Sequence, residues 1–305
     1  MLAIVIPYYK LSFFEETLLS LTNQTNKEFN VYIGNDASPE EPEEPKELLE
    51  KYNGQFNFSY KRFENNLGGT SLTKQWDRCI AMTQNEEWLM ILGDDDVLSP
   101  TCIAEFYKCL PEIIVENCKV VRFASVIIDG LNNRSSSLYA HPKLEKATDF
   151  FYRRITNKTR SSLSEYIFMR SQYKKYGFYD YNLAWFTDDR AWLEFSEFKN
   201  IYSINNAFVS FRLSDENISR VDYKSNEKEV VRLQFFKFIV SKHLNKFKRY
   251  QQRHFLLHYE QLIYKNKRVN FYFWLLVFSS FLKRFYFIQG IKFTRRVFIH
   301  LRINE

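Results

Sequence analysis

From Ala3 to Asp96 the chain alternates strand-like apolar runs with helix-like segments, and that alternation leaves few folds open. Ala3-Ile4-Val5-Ile6 is an apolar run closed by Pro7-Tyr8-Tyr9. Ser12-Phe13-Phe14-Glu15 has capping-box spacing, with Phe14, Leu18 and Leu21 following on one helical face. Phe29 to Gly34 alternates as a strand and ends at Asn35-Asp36-Ala37-Ser38. A further strand-like run, Phe56 to Phe63, leads into Asn65-Asn66-Leu67-Gly68-Gly69, after which Leu72, Trp76 and Ile80 recur at helical spacing. Trp88 to Leu92 is a last short apolar run. Strands alternating with helices predict an α/β fold: crossover units building a mainly parallel sheet flanked by helices.

That last run opens onto Asp94-Asp95-Asp96, and Val97-Leu98-Ser99-Pro100 follows, where Ser99 is placed to cap a helix and Pro100 to occupy its first position. Three carboxylates thus fall at the carboxyl edge of the sheet, where open α/β sheets bind ligands. Side-by-side anions repel unless a cation joins them, and hard oxygen ligands suit Mg²⁺ or Mn²⁺, whose shell phosphate oxygens complete. A metal–diphosphate site is the expectation; taken alone, the triplet also fits a solvated acidic turn.

Ile6-Pro7-Tyr8-Tyr9, Gln24-Thr25, Asp36-Ala37-Ser38, Asn66-Leu67-Gly68 and Leu92-Gly93-Asp94-Asp95-Asp96 recur here in an order that resembles the nucleotide-sugar-binding half of family 2 glycosyltransferases with the GT-A fold. A second block continues the likeness: Met169-Arg170-Ser171, Tyr176-Gly177-Phe178-Tyr179-Asp180, Thr187-Asp188-Asp189, then Phe211-Arg212-Leu213 with Asn217-Ile218-Ser219. The resemblance implies an inverting transfer of a sugar from a nucleotide-diphosphate donor to a hydroxyl of a saccharide or lipid-linked saccharide, in bacterial surface polysaccharide synthesis. It implies roles residue by residue. Asp36 reads the donor's base; Asp95 and Asp96 form the metal and diphosphate end of a DXD motif, with Asp96 the direct ligand; Asp189 is the general base. Pro7, Tyr9, Asn66, Gly68, Asp94, Asp188 and Arg212 complete the expected substrate-binding set. The chain departs from the family at Asn35 and Lys10, where Asp and Asn are common, and at Gly93, which takes the place of the first DXD aspartate.

The chemistry gives the same residues work. A divalent cation stabilises an anionic leaving group, and a positioned carboxylate accepts the proton of the attacking hydroxyl. Asp189 falls in the first turn of a helix that Thr187 is placed to cap, with Trp192 and Phe195 on the apolar face. Acids in first turns also serve stability alone. Arg212 suits either a diphosphate or a strand-end ion pair. Trp76 and Trp192 lie at core spacing. The ring of Tyr9, after Pro7 at a strand end, is placed to pack against a nucleotide base.

Charge divides the chain. Residues 1–219 carry 24 Lys and Arg against 31 Asp and Glu, whereas residues 220–305 carry 19 against 5. A catalytic domain over 1–220 and a basic, aromatic, helical region over 221–305 are expected. Within the second, Phe271 to Leu282 is apolar but shorter than the roughly 20 residues a spanning helix needs. Lys265, Lys267, Arg268, Lys283 and Arg284 flank it, which predicts a helix lying on an anionic membrane surface; packing on the catalytic domain is the alternative. The apolar residues run together rather than interleaving with basic ones, which argues against nucleic acid. His254 and His258 have helical spacing but lack the glutamate of a zinc motif. Cys79, Cys102, Cys109 and Cys118 form no CxxC pair and read as reduced thiols. With no signal-peptide pattern at the start, a cytoplasmic protein, peripheral on the inner membrane face, is expected. Two other functions fit less of the pattern: a non-catalytic membrane-associated assembly subunit, and a sugar nucleotidyltransferase, for which Pro7-Tyr8-Tyr9-Lys10 is not the required glycine-rich loop.

Overall fold

A computed structural model describes residues 1–213, 225–265, 271–283 and 286–303. Asn217, Ile218, Ser219, Lys267, Arg268 and Arg284 lie outside the described residues. The chain divides into two compact units, Met1–Val221 and Asp222–Glu305.

The first unit is built on β1 (Leu2–Tyr8), β2 (Phe29–Asn35), β3 (Asn57–Arg62), β4 (Trp88–Ile91), β5 (Val97–Leu98), β6 (Val120–Ile128), β7 (Leu144–Lys146), β8 (Tyr166–Met169) and β9 (Asn200–Arg212). They form one mixed sheet in the order β3-β2-β1-β4-β8-β6-β9-β5, with β7 also paired to β9. The half read from the N-terminal pattern is parallel throughout: β1 pairs with β2 and β4, and β2 with β3. In the other half, β8 joins antiparallel to both β4 and β6. β1 is apolar along its length because helices cover both faces of a central parallel strand, and Leu2 to Ile6 are all buried. At the sheet's edge β3 alternates between exposed and half-buried residues.

The intervening helices are α1 (Phe14–Thr22), α2 (Glu44–Glu50), α3 (Leu72–Ile80), α4 (Cys102–Val115), α5 (Ala147–Ile155), α6 (Arg170–Tyr176) and α7 (Thr187–Phe195). Phe14, Leu18 and Leu21 bury one face of α1, and Trp76 and Trp192 are core residues, as their spacing predicts. Three expected caps are absent, each because the side chain or turn has another partner. Phe13, not Ser12, precedes α1, and Phe14 N donates to Leu11 O (3.0 Å). Val97–Leu98 pairs with β9 instead of running into a helix, so Ser99 Oγ accepts from Phe208 N (3.0 Å) and α4 starts at Cys102. Thr187 is already helical, and its hydroxyl donates to Tyr179 O (3.0 Å).

The order β3-β2-β1-β4 reverses direction between β1 and β4, the position at which an open α/β sheet leaves a crevice beyond its carboxyl ends. Tyr9 follows β1 there, Asp36 follows β2 and Gly93 to Asp96 follow β4. The antiparallel β8 brings Ser164 and Glu165, which precede it, to the same edge.

The second unit contains α8 (Ser225–Phe238), which runs on through a π turn at Ile239–His243, then α9 (Arg249–Lys265), α10 (Phe271–Leu282) and α11 (Phe287–Ile303). Phe235, Phe236, Phe255, Leu256, Val277, Phe281 and Phe293 are buried within it, and Arg296 grips the buried Glu260 through two hydrogen bonds (2.5 and 2.6 Å). His254 and His258 stack 6.3 Å apart on α9. Burial and nearby Arg232 push His258 down to about 4, which suits a packed neutral ring. Among the described residues no helix is long and apolar enough to cross a membrane.

Candidate active site

The acidic turn after β4 is tied down on three sides. Asp94 folds back over the end of β1, its Oδ2 accepting from Tyr9 N (2.7 Å) and Lys10 N (3.0 Å). Asp96 Oδ1 accepts from Arg212 N (2.9 Å) at the end of β9, while its carbonyl accepts from Thr17 Oγ1 (3.0 Å). Gly93 N donates to Ser164 Oγ (2.9 Å). Asp94 Oδ2 is thus turned to two backbone donors at the end of β1, whereas Asp95 and Asp96 carry the carboxylate oxygens nearest Gly93.

Gly93 provides the space. A Cβ at that position would lie 2.9 Å from Asp95 Oδ1 and 3.1 Å from Asp96 Oδ2, so both oxygens border the volume that its missing side chain leaves open. An aspartate here, as the family often has, would collide with this arrangement. Among the described residues no three His, Cys, Asp or Glu side chains gather as a metal cage. Two carboxylates, with substrate phosphates to complete the shell, are nonetheless the usual donor set for Mg²⁺. The residues present fit such an ion.

The electrostatics point the same way. Burial pushes Asp94 up to about 7, with repulsion from Asp95 adding to it against the two backbone donors. Burial and the charge of Asp96 push Asp95 up to about 7, with Arg212 opposing. Burial likewise pushes Asp96 up to about 6, against its hydrogen bonds to Ser164 and Arg212. Three carboxyls that resist ionising together are the environment a cation relieves.

Arg212 braces this turn. Its fully buried guanidinium donates to Asp95 O (2.9 Å), Asp129 O (3.0 Å) and Asn132 Oδ1 (2.9 Å), pairs with Glu16 and lies 4.2 Å from the Phe13 ring centre.

Asp36 closes the second group. Its N donates to Tyr8 O (3.0 Å), and its carboxylate accepts from Leu67 N (2.7 Å), Gly68 N (2.8 Å) and Arg78, which stacks 4.0 Å from Phe63. A Cβ on Gly68 would meet Asp36 Oδ2 at 2.5 Å, so glycine is required for this approach. Asn66 caps the same turn by accepting from Gly69 N (2.6 Å). Asn35 stays buried, its Oδ1 accepting from Ser38 N (2.9 Å), and holds the turn in which Ala37 takes φ 51°. Pro7 and the Tyr9 ring are half-buried beside it.

The third group lies at the start of α7. Trp192 stacks on Tyr166 of β8 (4.1 Å between centroids), which seats the helix over the sheet. Asp188 is half-buried; burial and Asp189 push it up to about 7, with Arg154 opposing. Asp189 is 2 % exposed, its Oδ2 lies 3.7 Å from Arg154 Nη2, and its Oδ1 has no hydrogen-bond partner among the described residues. A buried carboxylate oxygen without a donor is costly, and water, a ligand or a substrate hydroxyl can supply the missing hydrogen bond.

The sequence pattern of Glycosyl transferase family 2 matches residues 3–186, more than half of the chain. The chain belongs to that family. No curated protein sequence matches it. Solved structures share its GT-A fold at low identity. S. aureus TarS 1-349 in complex with UDP-GlcNAc aligns with a TM-score of 0.64 at 14 % identity, over 95 % of this chain and 81 % of that one. The same protein with UDP gives 0.55 at 17 %, over 100 % and 92 %. GalNAc-T7 with UDP, GalNAc and Mn²⁺ gives 0.54 at 13 %, over 85 % and 55 %. The family match holds Asp36 and the acidic triplet of this glycosyltransferase but ends before Asp188, Asp189 and Arg212.

Residues that sequence reasoning did not single out hold the site from behind. Glu165, fully buried, accepts from Ser162 Oγ (2.8 Å) and from Arg160, which also donates to Ser125 Oγ (2.9 Å). Glu40 accepts from the Tyr8 hydroxyl and from Leu11 N. Arg154 comes from α5, far from the acids in sequence. None belongs to a motif; the antiparallel entry of β8 is the signal that would have placed Ser164 and Glu165.

Proposed function

We propose that this family 2 glycosyltransferase is an inverting, metal-dependent enzyme that moves a sugar from a nucleotide-diphosphate donor to a hydroxyl of a saccharide or lipid-linked saccharide. The observation that carries the reading is the pair of carboxylate oxygens, on Asp95 and Asp96, around the space left by Gly93 at the switch point of the sheet. Asp95 and Asp96 would hold Mg²⁺ or Mn²⁺. The ion, when bound, stabilises negative charge on the departing diphosphate. Asp36 and the Leu67–Gly68 turn shape the end of the crevice that takes the base, Arg212 keeps the acidic turn rigid, and Asp189 accepts the acceptor's proton through its unpartnered oxygen. One base and one displacement give inversion. The structural neighbours, one solved with UDP-GlcNAc and another with UDP, GalNAc and Mn²⁺, support this class of donor and cation.

The second unit favours membrane contact and, with it, a role in bacterial surface polysaccharide synthesis on the inner membrane face. Phe271 is 79 % exposed, Ile288 68 % and Ile291 71 %, and Lys292 and Arg295, on the same helix as the two isoleucines, are exposed as well. A groove of about 730 Å³ beside these residues is lined by Phe278, Leu282, Phe287 and Ile299, with Arg295 in its wall. An apolar surface mixed with basic residues suits insertion into an anionic leaflet.

A panel of nucleotide sugars tests the proposal. At least one should be hydrolysed slowly in the presence of Mg²⁺ or Mn²⁺ and not with chelator. A donor turned over at the same rate with chelator present would remove the metal from the mechanism, and binding without turnover of any donor would favour a non-catalytic subunit.

A further inference from the structure

We propose that Arg154 is the positioning residue for the base, holding the Asp189 carboxylate ionised and aimed at the acceptor hydroxyl. This inference rests on the reading of Asp189 as the base and assigns a task to a residue on a different element.

The geometry starts in α5, whose last turn ends in two arginines. Successive residues on a helix point about 100° apart, and the two side chains part company. Arg153 grips Glu145 through two hydrogen bonds (2.7 and 2.8 Å) and meets His141 Nδ1 at 3.1 Å. Arg154 turns towards α7, where its Nη2 stands 3.7 Å from Asp189 Oδ2. That distance makes an ion pair but exceeds a hydrogen bond. On each side of the pair a buried polar atom is left without a hydrogen-bond partner among the described residues, Nε on Arg154 and Oδ1 on Asp189. The two side chains are therefore held by charge and packing, with donor and acceptor capacity in reserve.

Other charged and titratable groups around the pair do not replace Arg154. Asp188, on the same helix, is an acid whose own ionisation Asp189 makes harder, so it supplies no positive charge to the pair. Tyr166 of β8 and Glu165 before it also lie within electrostatic reach of Arg154, and Glu165 is already bound by Arg160. From α6, Arg170 pairs with Glu86 and Lys175 with Glu197. Burial raises the proton affinity of Asp189, and Arg154 is the cation opposing it.

In the reaction the acceptor O–H bond breaks, its proton passes to Asp189 Oδ1, and the oxygen's electron pair forms the new bond to the anomeric carbon. The old bond from that carbon to the diphosphate oxygen breaks, and its electron pair leaves with the diphosphate. A carboxylate already protonated cannot take part. By keeping Asp189 charged while it is shielded from water, Arg154 lets a buried base work at neutral pH.

Arg154→Met, which preserves length and removes charge, tests this when turnover is followed against pH at saturating donor. The acidic limb of the profile, which ionisation of the base sets, should move up by about one unit or more, so that turnover falls on the acid side and recovers in alkaline buffer. Donor KM should stay at the wild-type value. Arg154→Lys should give an intermediate shift; should Arg154→Met fail to fold, that variant carries the test. An unmoved limb, whether turnover is normal or is reduced equally at every pH, overturns the proposal. Asp189→Asn separates the two failures: full turnover there defeats the base reading itself, whereas an inactive Asp189→Asn beside an unmoved Arg154→Met limb defeats the role of Arg154 alone.

Discussion

Replacing Arg212 with methionine removes the guanidinium that locks the acidic turn to the rest of the sheet while leaving most of its aliphatic bulk. Two backbone carbonyls, Asp95 O and Asp129 O, lose donors at 2.9 and 3.0 Å, Asn132 Oδ1 loses one at 2.9 Å, and Glu16 loses its ion-pair partner. A hydrogen bond to a charged group contributes about 1.5–3 kcal/mol net. The two carbonyl bonds alone set a loss of about 3 kcal/mol, and the ion pair to the partly exposed Glu16 adds at most about 1 kcal/mol. That is a large fraction of a typical domain's stability. Urea unfolding followed by tryptophan fluorescence reads it, since Trp76, Trp88 and Trp192 are buried in the first unit. The midpoint should fall with little change in slope. Metal-dependent donor hydrolysis should be lost even where the protein remains folded, because Asp95 and Asp96 are no longer held. A wild-type midpoint combined with a specific loss of diphosphate affinity would refute the brace and make Arg212 a direct ligand contact.

Further expectations follow from the same geometry. Gly93→Ala places a Cβ 2.9 Å from Asp95 Oδ1, so it should impair metal-dependent turnover severely while thermal unfolding shifts by little. Asp189→Asn should retain donor binding and lose turnover by about 10²–10⁴-fold; a larger loss in Asp188→Asn would move the base one residue towards the N-terminus. Turnover should rise with pH as the Asp188–Asp189 pair, both held above the usual carboxylate range by burial, ionises. The sign for stability is opposite: these carboxyls bind protons more tightly folded than unfolded, so their contribution should decline as pH rises from about 4 to 7. Replacing Phe271, Ile288 and Ile291 together by serine should release the protein from anionic vesicles in a co-sedimentation assay while leaving donor hydrolysis intact, whereas unchanged sedimentation would remove that face as the anchor.

Much of this architecture is legible in the chain because its signals are local. The apolar runs at Ala3–Ile6 and Trp88–Leu92 read as short buried strands, and the turns that follow them fall at one sheet edge as soon as the strands are parallel. Asp36 and Asp94 to Asp96 are found that way. Capping is less legible, since a hydroxyl bonds to whatever lies nearest: Ser99 serves Phe208 N and Thr187 serves Tyr179 O, partners set by distant pairings. The two-residue β5 carries no periodicity at all. Nor does sequence divide the labour within the triplet. That Asp94 faces the Tyr9 and Lys10 amides, while Asp95 and Asp96 border Gly93, depends on how β4 sits against β1. Arg154, Arg160 and Glu165 act across elements, and the 3.6 and 2 residue periods hold no record of such contacts.

The most direct test is a Mn²⁺ titration by electron paramagnetic resonance, with and without a nucleoside diphosphate, on the wild-type protein and on Asp95→Asn/Asp96→Asn. The account predicts one nucleotide-dependent Mn²⁺ per wild-type chain and none in the double variant, with the variant still folded. Equal Mn²⁺ binding by both proteins, or wild-type binding of the diphosphate with no Mn²⁺ taken up, would contradict it.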